Sequence, residues 1–354
     1  MEQKLKNFYK GKKIVVTGAT GFKGSWLCNW LLTLGAKVYA AGNNPNKNKN
    51  LFYSLKLDKK LKLKIFDIKN FNQTKSFINK INPSIIFHLA AQPLISNSYV
   101  EPKNTYEINS IGTLNVLESA RQNKNIRSII FVTTDKCYES NNSTIGFKET
   151  DKLGGKDPYS GSKACAEIII KTYYESYFKM KNLGIASARA GNVIGGGDWS
   201  ENRLIPDLIN NFKKNKKTFI RNPNYNRPWQ HVLEPLYGYL LLGMNLYNNP
   251  KKFSGPWNFG TERNTVTSVK EIAELALKFW GDGEIIIKNT KKFYEQENLQ
   301  LNINKSKNIL KWKPKYSIKE SVKLTVDWYR NIFKEIGSVE DETHRQIIDY
   351  MNDK

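Results

Sequence analysis

The chain has 354 residues, 40% of them hydrophobic, enough to bury a large core and to form two closely joined lobes. A formal net charge of +24 comes from lysines dispersed through runs such as "NPNKNKN" and "KKNKK", with no nucleic-acid motif, so no nucleic-acid partner is expected and the positive field suits anionic substrates. Cys28, Cys137 and Cys165 lack CxxC spacing, no apolar run is long enough to span a bilayer and no secretory leader is visible, so a reduced, cytoplasmic protein with no metal and no membrane partner is expected.

In chain order, "KKIVVTG" predicts a first strand and "FKGSWLCNWLLTLG" a helix closed by Gly35. "AKVYAAG", "KLKIFD" and "SIIFHLAA" predict strands two to four. A helix follows from about 105 to 122, then the fifth strand "IRSIIFVTT". "DPYSGSKACAEIIIKTYYESYF" predicts a long helix and "GIASARAGNV" the sixth strand. Strands alternating with helices imply right-handed crossovers and a doubly wound parallel sheet of Rossmann type, α/β in class. We therefore expect a dinucleotide-binding domain over 1–190, to which the chain returns around 231–260. A smaller mixed α/β substrate domain is expected over 191–354. The last helix predicted runs from about 317 to 333.

Three stretches carry chemistry. In "TGATGFKGSWL", Gly18, Gly21 and Gly24 stand between the first strand and first helix, where glycines permit a tight turn and let backbone approach a pyrophosphate. In "DPYSGSKACAE", Tyr159 and Lys163 share one helical face. An ammonium beside a phenol favours phenolate, which can take a proton from a hydroxyl. In "SIIFVTTDKCY", an apolar strand ends in Thr134, Asp135 and Lys136, an acid beside a base at the sheet edge where doubly wound folds bind ligands.

These motifs together resemble the extended short-chain dehydrogenase/reductase family. The resemblance implies a dinucleotide held by Gly18, Thr20, Gly21, Phe22, Lys23 and Gly24, by Asp67 and Ile68 after the third strand, and by Leu89, Ala90 and Ala91 after the fourth. It also implies that Thr133, Tyr159 and Lys163 line that cofactor, with Tyr159 and Lys163 as the redox pair and Thr134 on the substrate hydroxyl. The acidic residue expected about twenty positions past the glycines to select NAD is absent from "YAAGNNPN", so the local residues leave NAD and NADP open.

Adjacent Asp135 and Lys136 are similar to the nucleotide-sugar 4,6-dehydratases within that family, and Lys at 136 to their CDP-glucose branch. That branch implies NAD as cofactor and CDP-glucose as substrate. Asp135 then protonates the departing C6 hydroxyl and Lys136 removes the C5 proton, which a lysine does only as the neutral amine. Segments such as "RAGNVIGGGDW" and "RPWQHVLEPLYGYL" extend the resemblance over almost the whole chain. They imply substrate contacts from Gln92, Asn192, Arg203, Arg227, His231 and Glu295; for His231 packing is an equal alternative. The family's habit of pairing through two helices implies a homodimer through 105–122 and 159–178, with a tetramer open. Competing readings are a dehydratase or epimerase for another nucleotide sugar, and a noncatalytic RNA-binding Rossmann protein.

Overall fold

Residues 2–45, 47–139, 146–262, 267–288 and 299–352 are described in the computed structural model of the chain. Seven strands form one parallel sheet: β1 (Lys13–Thr17), β2 (Lys37–Gly42), β3 (Lys62–Ile65), β4 (Ile85–His88), β5 (Ser128–Val132), β6 (Gly184–Ala190) and β7 (Gly255–Phe259). Their order is β7-β6-β5-β4-β1-β2-β3. The order reverses direction at β1 and β4, the crevice where such sheets bind ligands. Strands β1, β4 and β5 read as β-branched runs because helices cover both faces and bury every residue but Lys13.

The helix Phe22–Thr33 follows β1 through the turn at Gly18, whose φ of +67 is left-handed. A Cβ on Gly18 would lie 2.5 Å from the Ala90 nitrogen, and one on Gly24 would lie 2.1 Å from the Gly18 oxygen. Both positions therefore require glycine. The helix has Gly21 as its N-cap, with no side-chain cap, so its first amides face the crevice. The helix Pro158–Tyr173 starts sharply instead. Asp157 caps it by accepting from the Ser160 amide at 2.9 Å, and Pro158 fills the first turn.

After β6 the chain builds the second lobe from the helix Leu204–Phe212, the paired strands Lys217–Ile220 and Glu284–Ile287, and the helix Val269–Trp280. It returns to the sheet between these elements. The apolar helix Leu233–Asn248 packs on β5 and β6, and β7 pairs with β6 from Gly255↔Ala186 to Phe259↔Ala190. Helix Ile318–Phe333 opens on a capping box of Ser317 and Glu320.

A further helix, Val339–Asn352, lies beyond the last one the sequence predicted. Its buried face includes Glu342, Thr343 and Gln346 beside Ile347 and Tyr350, so polar residues dilute the apolar period. No described helix is long and apolar enough to cross a membrane.

Candidate active site

Two adjoining cavities of about 450 and 350 Å3 open along the carboxyl ends of the strands. They share Phe22, Lys23, Pro93, Asp198 and Arg203 as a partition. The larger is lined by Gly18, Thr20, Gly21 and Gly24 from the first turn, by Asp67 and Ile68, and by Leu89, Ala90 and Ala91. Among the described residues β2 ends at Gly42, with Asn43 next and no carboxylate; there the Thr20 hydroxyl donates to the Asn43 carbonyl at 3.1 Å. Asp67 accepts from the Lys69 amide at 2.9 Å, which fixes the chain after β3.

The smaller cavity brings Thr133, Thr134, Asp135, Lys136 and Tyr159 together with Asn192, Arg203 and Arg227. Thr134 caps a short turn over Asp135–Cys137, accepting from the Lys136 amide at 3.3 Å and donating to Asp135 Oδ1 at 3.1 Å. Lys136 Nζ lies 3.8 Å from the same Oδ1. Asp135 is 2% exposed, and its Oδ2 has no hydrogen-bond partner among the described residues. A buried carboxylate oxygen without a partner is unfavourable unless a ligand supplies a hydrogen-bond donor.

Tyr159 and Lys163 are both buried on one face of their helix. Lys163 Nζ donates to the Val132 carbonyl at 3.2 Å, and burial lowers its pKa to about 8. The phenol departs from the sequence-based expectation of a lowered pKa. Burial pushes Tyr159 up to about 12, only partly opposed by the Thr134 hydroxyl. The ammonium is directed at a main-chain carbonyl, and desolvation of a phenolate outweighs it in the protein alone. Lys23 projects into the partition with its Nζ 3.5 Å from the Tyr239 hydroxyl. Burial, then Lys163 and Arg203, lower its pKa to about 7.

A third residue on the Tyr159–Lys163 face escaped sequence reasoning. Glu167 accepts from Thr133 at 2.5 Å and Ser187 at 2.7 Å and pairs with Arg189 at 2.6 Å, all buried. It thereby ties β5, β6 and the helix together behind the site. Its spacing, four residues past Lys163, was the available signal.

Two proposed substrate contacts, Gln92 and His231, stand apart. Gln92 lines neither cavity. Its side chain donates to Leu94 O and Thr105 and accepts from the Leu94 amide, so it holds its own loop. His231 is fully buried, outside both cavities, edge-on to Trp26 and Tyr316, and burial lowers its pKa to about 3; packing is its role. Glu295 lies outside the described residues. His88 is likewise buried, 2.7 Å from Thr17 Oγ1. Arg221, Phe219 and Tyr225 line the smaller cavity without having been singled out, because nothing in "TFIRNPNYN" distinguishes them from a basic loop.

The family model for GDP-mannose 4,6 dehydratase matches residues 15–325. The chain belongs to the GDP-mannose 4,6-dehydratase family. Within the wider set of relatives, it is 39% identical over 98% of both chains to the CDP-glucose 4,6-dehydratase of Salmonella typhimurium. It is 25% identical to the dTDP-D-glucose 4,6-dehydratase of Dictyostelium discoideum, covering 90% of this chain and 82% of that one. Among solved structures, the dTDP-glucose 4,6-dehydratase of Bacillus anthracis in complex with NAD superposes with a TM-score of 0.76 at 25% identity, covering 92% of this chain and 98% of that one. The UDP-glucose 4-epimerase of Thermotoga maritima with UDP-glucose gives a TM-score of 0.79 at 25% identity, covering 91% and 99%. Membership in this family and the parallel sheet agree with the α/β reading of the sequence.

Proposed function

We propose that the protein is an NAD-dependent CDP-glucose 4,6-dehydratase, a hydro-lyase that converts CDP-glucose to CDP-4-dehydro-6-deoxyglucose and water. One observation carries the reading: Asp135 and Lys136 face the same cavity as Tyr159, so an acid, a base and a phenol converge on one sugar-sized space. The extent of likeness to the Salmonella enzyme supports this substrate. The larger cavity fits the cofactor, because Gly18, Gly21 and Gly24 line it at the start of a helix that has no side-chain cap. Gly18, Gly21 and Gly24 with the uncapped helix amides would hold the pyrophosphate, and Asp67 and Ile68 the adenine side. Residues 1–190 with the returning β7 then hold the cofactor, and residues 191–354 the nucleotide sugar.

When bound, NAD supplies the hydride acceptor at C4 and donor at C6, together with the positive charge that favours a Tyr159 phenolate. Tyr159 takes the C4 hydroxyl proton, with Thr134 orienting that hydroxyl. The C4 ketone acidifies the C5 proton, which Lys136 removes as the base and returns to C5 once the C6 hydroxyl has left. Asp135 is the acid for the C6 hydroxyl, which leaves as water. Asn192 and Arg227 hold the diphosphate, and Arg203 contacts the nucleotide from the start of the helix Leu204–Phe212. The deciding experiment is incubation with CDP-, UDP-, dTDP- and GDP-glucose, read by 4-keto product. Turnover of CDP-glucose without net NADH is expected; preference for another nucleotide, or a C4 epimer as product, would reject the assignment.

The helical segments before and after β5 also leave Tyr106, Ile111, Ile168 and Tyr177 exposed, from 38% to 54%. This supports a homodimer through that face. Three free cysteines, two of them buried, support a reducing cytoplasmic setting.

A further inference from the structure

One wall of the smaller cavity takes no part in the chemistry above. It is built by the helix Leu204–Phe212, the strand Lys217–Ile220 and the loop after that strand, and carries Asp207, Phe219, Arg221 and Tyr225. Phe219 is 57% exposed, an apolar face on which a flat ring can stack. The Tyr225 ring lies 5.2 Å from the Arg227 guanidinium, so this wall adjoins the proposed diphosphate contact. On the reading given under Proposed function, the base of the nucleotide lies here.

Asp207 is out of keeping with an anion-binding cavity. It is a partly buried carboxylate with no ion pair among the described residues. Burial raises its pKa to about 6; Arg221 and the Asn202 main chain oppose the rise, while Glu201 and Asp198 add to it. Holding such a group beside a diphosphate is unfavourable unless the ligand presents a hydrogen-bond donor to it. We propose that Asp207 selects the base, its carboxylate accepting from the exocyclic amine of cytosine and repelling the O4 of uracil at the same position. This inference rests on the nucleotide-sugar reading and deepens it.

The test is titration calorimetry of the full chain with CDP and with UDP, on wild type and Asp207→Asn. Wild type should prefer CDP. Asp207→Asn should weaken CDP by about tenfold and leave UDP equal or tighter, since its amide donates to O4. An unchanged CDP:UDP ratio in a variant with a normal melting curve overturns the proposal. Should that variant not fold, the ratio is measured on wild type at pH 5 and pH 8. Protonation lets the acid donate to O4, so the CDP preference should shrink at pH 5, and a constant ratio overturns the proposal. Arg221, Glu201 and Asp198 act alike on both ligands, which share the diphosphate. Wild-type turnover of CDP-glucose is scored separately. Its absence beside an intact CDP preference counts against the dehydratase reading alone.

Discussion

Lys136 and Tyr159 reach the same cavity by different routes, and substitution separates their roles. Lys136→Ala should retain bound cofactor and the native melting curve while dehydration falls by about 10^2- to 10^4-fold, the range for a positioned base. Normal product formation by that variant, measured by 4-keto absorbance, would remove Lys136 from the mechanism. The adjacent acid and base were legible at this scale because they end an apolar strand, and so was the glycine turn. His231 and Gln92 were not, because a motif gives the position of a side chain along the chain but not whether it points at a ligand or at Trp26. The environment of Tyr159 was also illegible: burial is a property of the assembled core, and it reverses the direction that sequence spacing alone suggests.

Among elements, the strands were the most legible, since sheet burial on both faces demands unbroken apolar runs. The C-terminal helix Val339–Asn352 was not, because what secures it is a polar clamp. Buried Glu234, in the first turn of Leu233–Asn248, accepts from the amides of Tyr316 at 2.7 Å and Lys315 at 3.0 Å and from the Tyr350 hydroxyl at 2.8 Å. Burial raises its pKa from 4.5 to about 7. A carboxyl with a raised folded-state pKa contributes stability that is full below its unfolded value and lost as pH rises through 7. The loss amounts to roughly 3 kcal/mol at most. Urea melts of wild type should therefore weaken between pH 5 and pH 8, and Glu234→Gln, which stays neutral, should weaken less. Parallel pH profiles for the two proteins would show that Glu234 does not titrate in this window.

For the molecule as a whole, the exposed apolar residues on the helices flanking β5 carry a consequence in solution. Ile168 is 54% exposed on the helix that also bears Tyr159 and Lys163. Placing a charge there, as Ile168→Asp, should convert a dimer to monomers, seen as a halved mass by light scattering. A monomeric wild type would remove the interface. Fold class was legible at this scale from the alternation of strands and helices. The return of β7 to the sheet edge depends on contacts between residues far apart in sequence.

The bond from Lys163 to the Val132 carbonyl joins the helix bearing the phenol to the strand whose end bears the acid and base. The two halves share this joint, which Glu167 reinforces through Thr133 and Arg189. Damage at Lys163 and at Thr134 should thus be strongly non-additive, with the double substitution scarcely slower than the worse single one. Substitutions that restore activity to either should appear along this shared seam more often than beside the sugar.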